Sequence, residues 1–65
     1  MQIQLNGEPR ECAAGVTISS LLVELKLTPD KVAVELNRRL VRGSKYDTAI
    51  NEGDQLEIVT FVGGG

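Results

Sequence analysis

The sequence predicts a two-layer α+β domain, with one helix crossing one face of a small sheet. Three observations predict it. Several short segments alternate apolar and polar residues with period two, one segment places apolar residues at i, i+3, i+4 and i+7, and 65 residues leave room for a single domain at most.

Met1-Gln2-Ile3-Gln4-Leu5 alternates from the first residue and reads as a half-buried strand. Asn6-Gly7 follows, a dipeptide that accepts the positive φ of a tight I′ hairpin turn, while Glu8-Pro9 after it points to a connection longer than two residues. The expected return strand is Arg10-Glu11-Cys12-Ala13, entered through a proline where no ladder hydrogen bond need be donated.

Ala14-Gly15 breaks the alternation, and Ile18, Leu21, Leu22 and Leu25 then form the apolar stripe of a helix. Thr17 is the expected N-cap. Ser20 stands at the third helical position, where a capping box prefers Glu or Gln, so the sequence supports only part of that motif. Pro29 disfavours helical geometry at Thr28, so the helix ends by Leu27. Two to three turns are not stable alone, which places Leu21, Leu22 and Leu25 at the centre of the core.

Val32-Ala33-Val34-Glu35-Leu36 is β-branched and alternating, with Val32, Val34 and Leu36 on one face. Asn37-Arg38-Arg39 reads as a tight turn and Leu40-Val41 as a short strand, a second hairpin. Arg42 to Ile50 reads as a loop with one helical turn around Tyr46, and Asn51-Glu52-Gly53-Asp54 as the turn that launches a final strand, Gln55 to Val62. The order leaves enough chain between the first and last strands for them to lie side by side and parallel at the sheet centre. Residues 1–62 are thus the expected domain, and 63–65 a flexible glycine tail.

Hydrophobic residues make up 42% and charged residues 25%, the balance of a folded soluble domain rather than a disordered chain. Its core alone supports roughly 3 to 5 kcal/mol of stability. The net charge is -2, which gives no global electrostatic reason to bind nucleic acid or an anionic membrane. No apolar run approaches a membrane span, and the N-terminus lacks the pattern of a signal peptide, so the expected mature start is Met1. The single cysteine, Cys12, forms no internal disulfide and fits a reducing cytoplasm. A free monomer is the expected state.

Histidine is absent, and no acidic pair has a recognisable metal or general acid/base spacing. Asn6-Gly7 and Gly15 lack the Lys-Ser/Thr pair of a phosphate loop, so the chain is expected to bind no cofactor and to catalyse nothing. Cys12 reads as a small buried hydrophobe rather than a nucleophile, having no histidine to activate it. Arg38, Arg39, Arg42 and Lys45 form a local basic cluster, either a solvated face or a contact for an acidic partner.

The last strand carries more information. If Leu56 and Ile58 face the helix, then Glu57, Val59 and Phe61 face the opposite side, where a one-helix fold offers no cover. Val59 and Phe61 are therefore the expected partner-docking residues. The strand runs into Gly63-Gly64-Gly65, which reads as a frayed end or as something more specific: an unhindered carboxyl group on a peptide slim enough to thread another protein's channel.

Taken together, these residues resemble the ThiS-type sulfur carrier proteins of thiamine biosynthesis, members of the ubiquitin-like β-grasp superfamily. The resemblance spans the chain: the Met1-Gln2-Ile3-Gln4-Leu5-Asn6-Gly7 start, Thr17-Ile18 to Leu22, Val32 to Asn37, Ser44-Lys45-Tyr46, Glu52-Gly53-Asp54 and the Gly-Gly end. It implies a β-grasp fold, a mixed sheet of about four to five strands packed on one helix. It also implies that Gly65 is adenylated by an E1-like adenylyltransferase using ATP. A sulfur-donating enzyme would convert it to a thiocarboxylate, and the sulfur would pass to a thiazole synthase, with Gly63 and Gly64 as the threading positions. Arg38-Arg39 departs from the glycine and acidic residue common in that turn, and a third glycine precedes the terminal pair. The small subunit of molybdopterin synthase, and a β-grasp interaction module without acyl chemistry, share the fold and stand as alternatives.

Overall fold

A computed structural model describes residues 1–61 of the chain. The strands are β1 (Gln2–Leu5), β2 (Glu8–Glu11), β3 (Val32–Leu36), β4 (Arg39–Val41) and β5 (Gln55–Thr60), and the one α-helix among the described residues is α1 (Ile18–Glu24). They form one mixed five-stranded sheet in the order β2-β1-β5-β3-β4. Strands β1 and β5 are parallel, as their order along the chain suggested, and the other neighbours are antiparallel. One helix on a mixed sheet is the β-grasp arrangement.

Both hairpins turn on two residues, tighter than expected in each case. Leu5 pairs with Glu8, so Asn6 (φ 52) and Gly7 (φ 83) alone make the first turn. Pro9 is accommodated by alternation. Met1 and Cys12 exchange both backbone hydrogen bonds at 2.8 Å, so Gln4–Pro9 is a pair that exchanges none, and Pro9 loses nothing by lacking an N–H. The return strand therefore starts at Glu8 rather than Arg10. In the second hairpin Leu36 pairs with Arg39, leaving Asn37 (φ 52) and Arg38 (φ 72) as the turn and moving Arg39 into β4.

Helix α1 is capped at both ends by the residues that flank it. The capping box is complete, because Ser20 performs the role of the longer acid or amide: its backbone N–H donates to Thr17 Oγ1 at 3.1 Å, and Thr17 N–H donates to Ser20 Oγ at 2.8 Å. The N–H groups of Ile18 and Ser19 donate to the carbonyls of Thr48 and Tyr46, so the 42–50 segment is tied across the helix start. At the other end Lys26 takes φ 60, its N–H bonds the Val23 carbonyl, and Leu27 N–H bonds that of Leu22. This is a Schellman stop made without glycine.

The helix buries Ile18, Leu21 and Leu22 against Ile3, Val32, Val34, Leu56 and Ile58, and Tyr46 and Ile50 complete the core. Each fully buried leucine contributes about 1.5 to 3 kcal/mol. Leu25 and Leu36, expected inside, are only partly buried at its margin, as is Cys12. The helical turn near Tyr46 is a 3-10 turn over Gly43–Lys45, and Tyr46 follows it with its ring buried.

Candidate functional site: the open face of the sheet

Strand β5 lies at the centre of the sheet and is held on both sides. Toward β3 it pairs over five positions, from Val32–Thr60 to Leu36–Leu56. Toward β1 the paired register is short, Gln4–Gln55 and Leu5–Leu56, because β1 turns away after Leu5. The Asn6 side chain lengthens that seam. Its Oδ1 accepts from Ile58 N–H at 2.8 Å, and its Nδ2 donates to the Ile58 carbonyl at 3.3 Å, so the amide replaces one more backbone partner. Asn37 does the same at the start of β5, accepting from Gln55 N–H at 3.0 Å and donating to Asp54 Oδ1 at 3.0 Å. Both asparagines hold the central strand from a turn.

Alternation along this strand separates two jobs. Leu56 and Ile58 are buried under the helix, while Glu57, Val59 and Phe61 face the uncovered side. Val59 is 59% and Phe61 56% exposed. Phe61 N–H donates to the Lys31 carbonyl at 2.8 Å, which fixes the backbone at the point where the chain leaves the sheet. Val62, Gly63, Gly64 and Gly65 lie outside the described residues.

The structure adds neighbours to Val59 that the sequence alone did not mark. The registers place Ala33 beside Val59, and Glu57, Glu35 and Leu40 in one row across β5, β3 and β4. Leu40 is 68% exposed. Together with Arg38 these residues line a shallow groove. Leu40 was detectable in principle, since in a strand whose neighbour Val41 packs inward it must point outward. What could not be read was which strand stands beside β5. The β1–β2 half of the same face is polar and exposed, carrying Gln2, Gln4, Pro9 and Glu11.

Among the described residues no group of three or more His, Cys, Asp or Glu side chains is arranged to hold a metal ion. Arg38, Arg39, Arg42 and Lys45 are exposed and form no ion pair among those residues, where the salt bridges are Met1–Glu11 and Arg10–Glu24. No described helix is long and apolar enough to cross a membrane.

Comparison with known proteins places this geometry. The thiazole synthase of Magnetococcus marinus is 48% identical over 66 residues, a match that covers the whole chain and 20% of that relative. The chain thus spans about a fifth of that protein's length. The sulfur carrier protein ThiS of Escherichia coli is 30% identical, with both chains covered completely. The crystal structure of the thiamine biosynthesis protein ThiS from Geobacter metallireducens superposes with a TM-score of 0.83 at 32% identity, again over the whole of both chains. The family model for ThiS matches residues 3–65, both hairpins, the helix and the glycine end included, and the chain belongs to the ThiS family.

Proposed function

We propose that this chain is a sulfur carrier of thiamine biosynthesis that works in the cytoplasm, with the Gly65 carboxylate as the group that carries sulfur. The observation that supports this most is the family match, which runs from residue 3 through the last glycine. The end-to-end likeness to the E. coli carrier supports the same reading.

A carboxylate is a poor electrophile and must first be activated. In the proposed sequence, a Gly65 carboxylate oxygen attacks the α-phosphorus of ATP on an E1-like partner, expelling pyrophosphate and leaving an acyl adenylate. Sulfide, or its equivalent from a sulfur-donating enzyme, then attacks the acyl carbon and expels AMP. One oxygen has been replaced by sulfur, and the thiocarboxylate delivers it to a thiazole synthase. Nothing in this sequence asks the chain itself to bind ATP or move a proton. Its contribution is shape: glycines at 63 and 64 pass a narrow channel without side-chain clash, and Val59 and Phe61 give partners an apolar hold close to the point where the tail begins.

Deleting Gly65, or replacing Gly64 with a bulky residue, is expected to abolish rescue of a thiamine auxotroph that lacks its own carrier, with the thermal midpoint unchanged because a terminal segment adds little to folding. Full rescue by the Gly65 deletion contradicts the proposal. Rescue by the intact chain of a molybdenum-cofactor defect, but not of the thiamine defect, would instead favour the molybdopterin synthase subunit.

A further inference from the structure

The register of β3 on β5 sets Glu35 directly opposite Glu57, on the open face and between the exposed apolar residues. Leu40 flanks Glu35 on one side of the row, and Val59 and Ala33 form the next row. Neither carboxylate has a cation within 4 Å among the described residues, although Arg38 lines the same groove. Like charges directly across a sheet cost stability. Folding gains nothing from this pair.

The arrangement constrains whatever covers the face. A surface that packs on both Leu40 and Val59 must also cover Glu35, which stands between Leu40 and Glu57 in the row. Covering a carboxylate with an uncompensated apolar surface costs more than the apolar contact returns. A basic side chain set between the two glutamates reverses the sign, since it removes their mutual repulsion and gains two charge-assisted hydrogen bonds.

We propose that Glu35 and Glu57 determine partner specificity, and that thiazole synthase docks on the β5-β3-β4 half of the face by placing a lysine or arginine between them, with apolar side chains on Val59 and Leu40. The inference rests on the sulfur-carrier reading. The choice of partner follows from the Magnetococcus marinus relative, in which a segment matching this whole chain belongs to the same polypeptide as a protein named thiazole synthase. In such a chain the two surfaces are held at high effective concentration.

The test measures binding of the intact carrier to thiazole synthase purified from the same source, at low and at physiological salt. The double variant Glu35→Gln with Glu57→Gln keeps side-chain volume and removes both charges. It is expected to bind about tenfold more weakly or worse and to lose most of the salt dependence shown by the unaltered chain. Its thermal midpoint is expected to stay level or rise, a combination that a purely structural role for the pair would not produce. Affinity equal to or tighter than that of the unaltered chain overturns the proposal. A Val59→Asp variant separates the docking face from the cation between the glutamates. If it loses binding while the glutamine variant does not, the docking face stands and the cation is wrong. If it binds like the unaltered chain, both the face and the proposal fall. If the unaltered chain itself does not bind, the thiazole synthase reading fails and takes the proposal with it.

Discussion

The β1–β2 and β3–β4 hairpins each turn on an asparagine in the left-handed region, and Asn6 and Asn37 both reach back with their amides to hold β5. The open faces of the two halves nevertheless differ. Gln2, Gln4, Pro9 and Glu11 cover the first, while Ala33, Glu35 and Leu40 stand beside Val59 on the second. The polar half folds through the same kind of two-residue turn and antiparallel hairpin, so the hairpin itself does not require exposed leucine and valine on the other half. The difference teaches that the turn is a shared solution for building the sheet, while the exposed apolar residues of the second half are the ones the proposed docking face depends on.

The sharpest way to break this comparison is to place the same charge on each half. Val59→Asp is expected to weaken binding to the proposed activating enzyme roughly 30-fold or more, about 2 kcal/mol, whereas Gln4→Asp leaves it unchanged. Equal losses, measured by titration calorimetry, would remove the functional asymmetry. Phe61→Ala should follow Val59→Asp in direction, with urea-unfolding stability altered by less than about 0.5 kcal/mol.

The two asparagines offer a second contrast. Asn6→Gly keeps the backbone conformation but removes both hydrogen bonds to Ile58, which lie in a partly buried seam, at an expected cost of about 1 to 2 kcal/mol. Asn37→Gly removes exposed bonds and should cost about 0.5 kcal/mol, less than Asn6→Gly in the same urea titration. A reversed order would show that the short β1–β5 seam does not depend on the amide.

A third contrast, also of no more than about 1 kcal/mol, comes from the second turn residues, whose effects should have opposite signs. Gly7 and Arg38 both have positive φ, at 83 and 72, and only glycine adopts that region freely. Arg38→Gly is therefore expected to stabilise by about 0.5 to 1 kcal/mol, and Gly7→Ala to destabilise by about 1 kcal/mol, both read from denaturation midpoints. Destabilisation by Arg38→Gly would mean that the arginine side chain contributes more than its backbone costs.

These turns also show why some features were legible in the sequence and others were not. Alternation in Gln55 to Phe61 announced which residues are buried, and the helical stripe announced Ile18, Leu21 and Leu22, because burial leaves a period that needs no knowledge of the rest of the fold. The hairpin register was misread at Pro9, whose acceptability depends on which pairs exchange hydrogen bonds, a fact that exists only once the strands are paired. Lys26 and Arg38 do the work usually given to glycine, so they carry no compositional mark of a helix stop or a tight turn. The Glu35–Glu57 pair lies 22 positions apart in the chain and becomes a feature only when β3 is laid against β5.

The site residues divide in the same way. The exposure of Val59 and Phe61 on the open face was legible from parity alone, whereas the placement of Leu40 and Ala33 beside them needed the strand order. Gly63, Gly64 and Gly65 rest on chemical reasoning about an unhindered carboxylate and on a family match that reaches the last residue.

The most direct measurement of the central claim is therefore the intact mass of the chain after incubation with ATP, a sulfide source and the E1-like partner, followed by fragmentation to locate any change. The account predicts a gain equal to the replacement of one oxygen by sulfur, located on Gly65 and absent when ATP is withheld. An unchanged mass, under conditions in which the partner activates an authentic ThiS carrier, would contradict it.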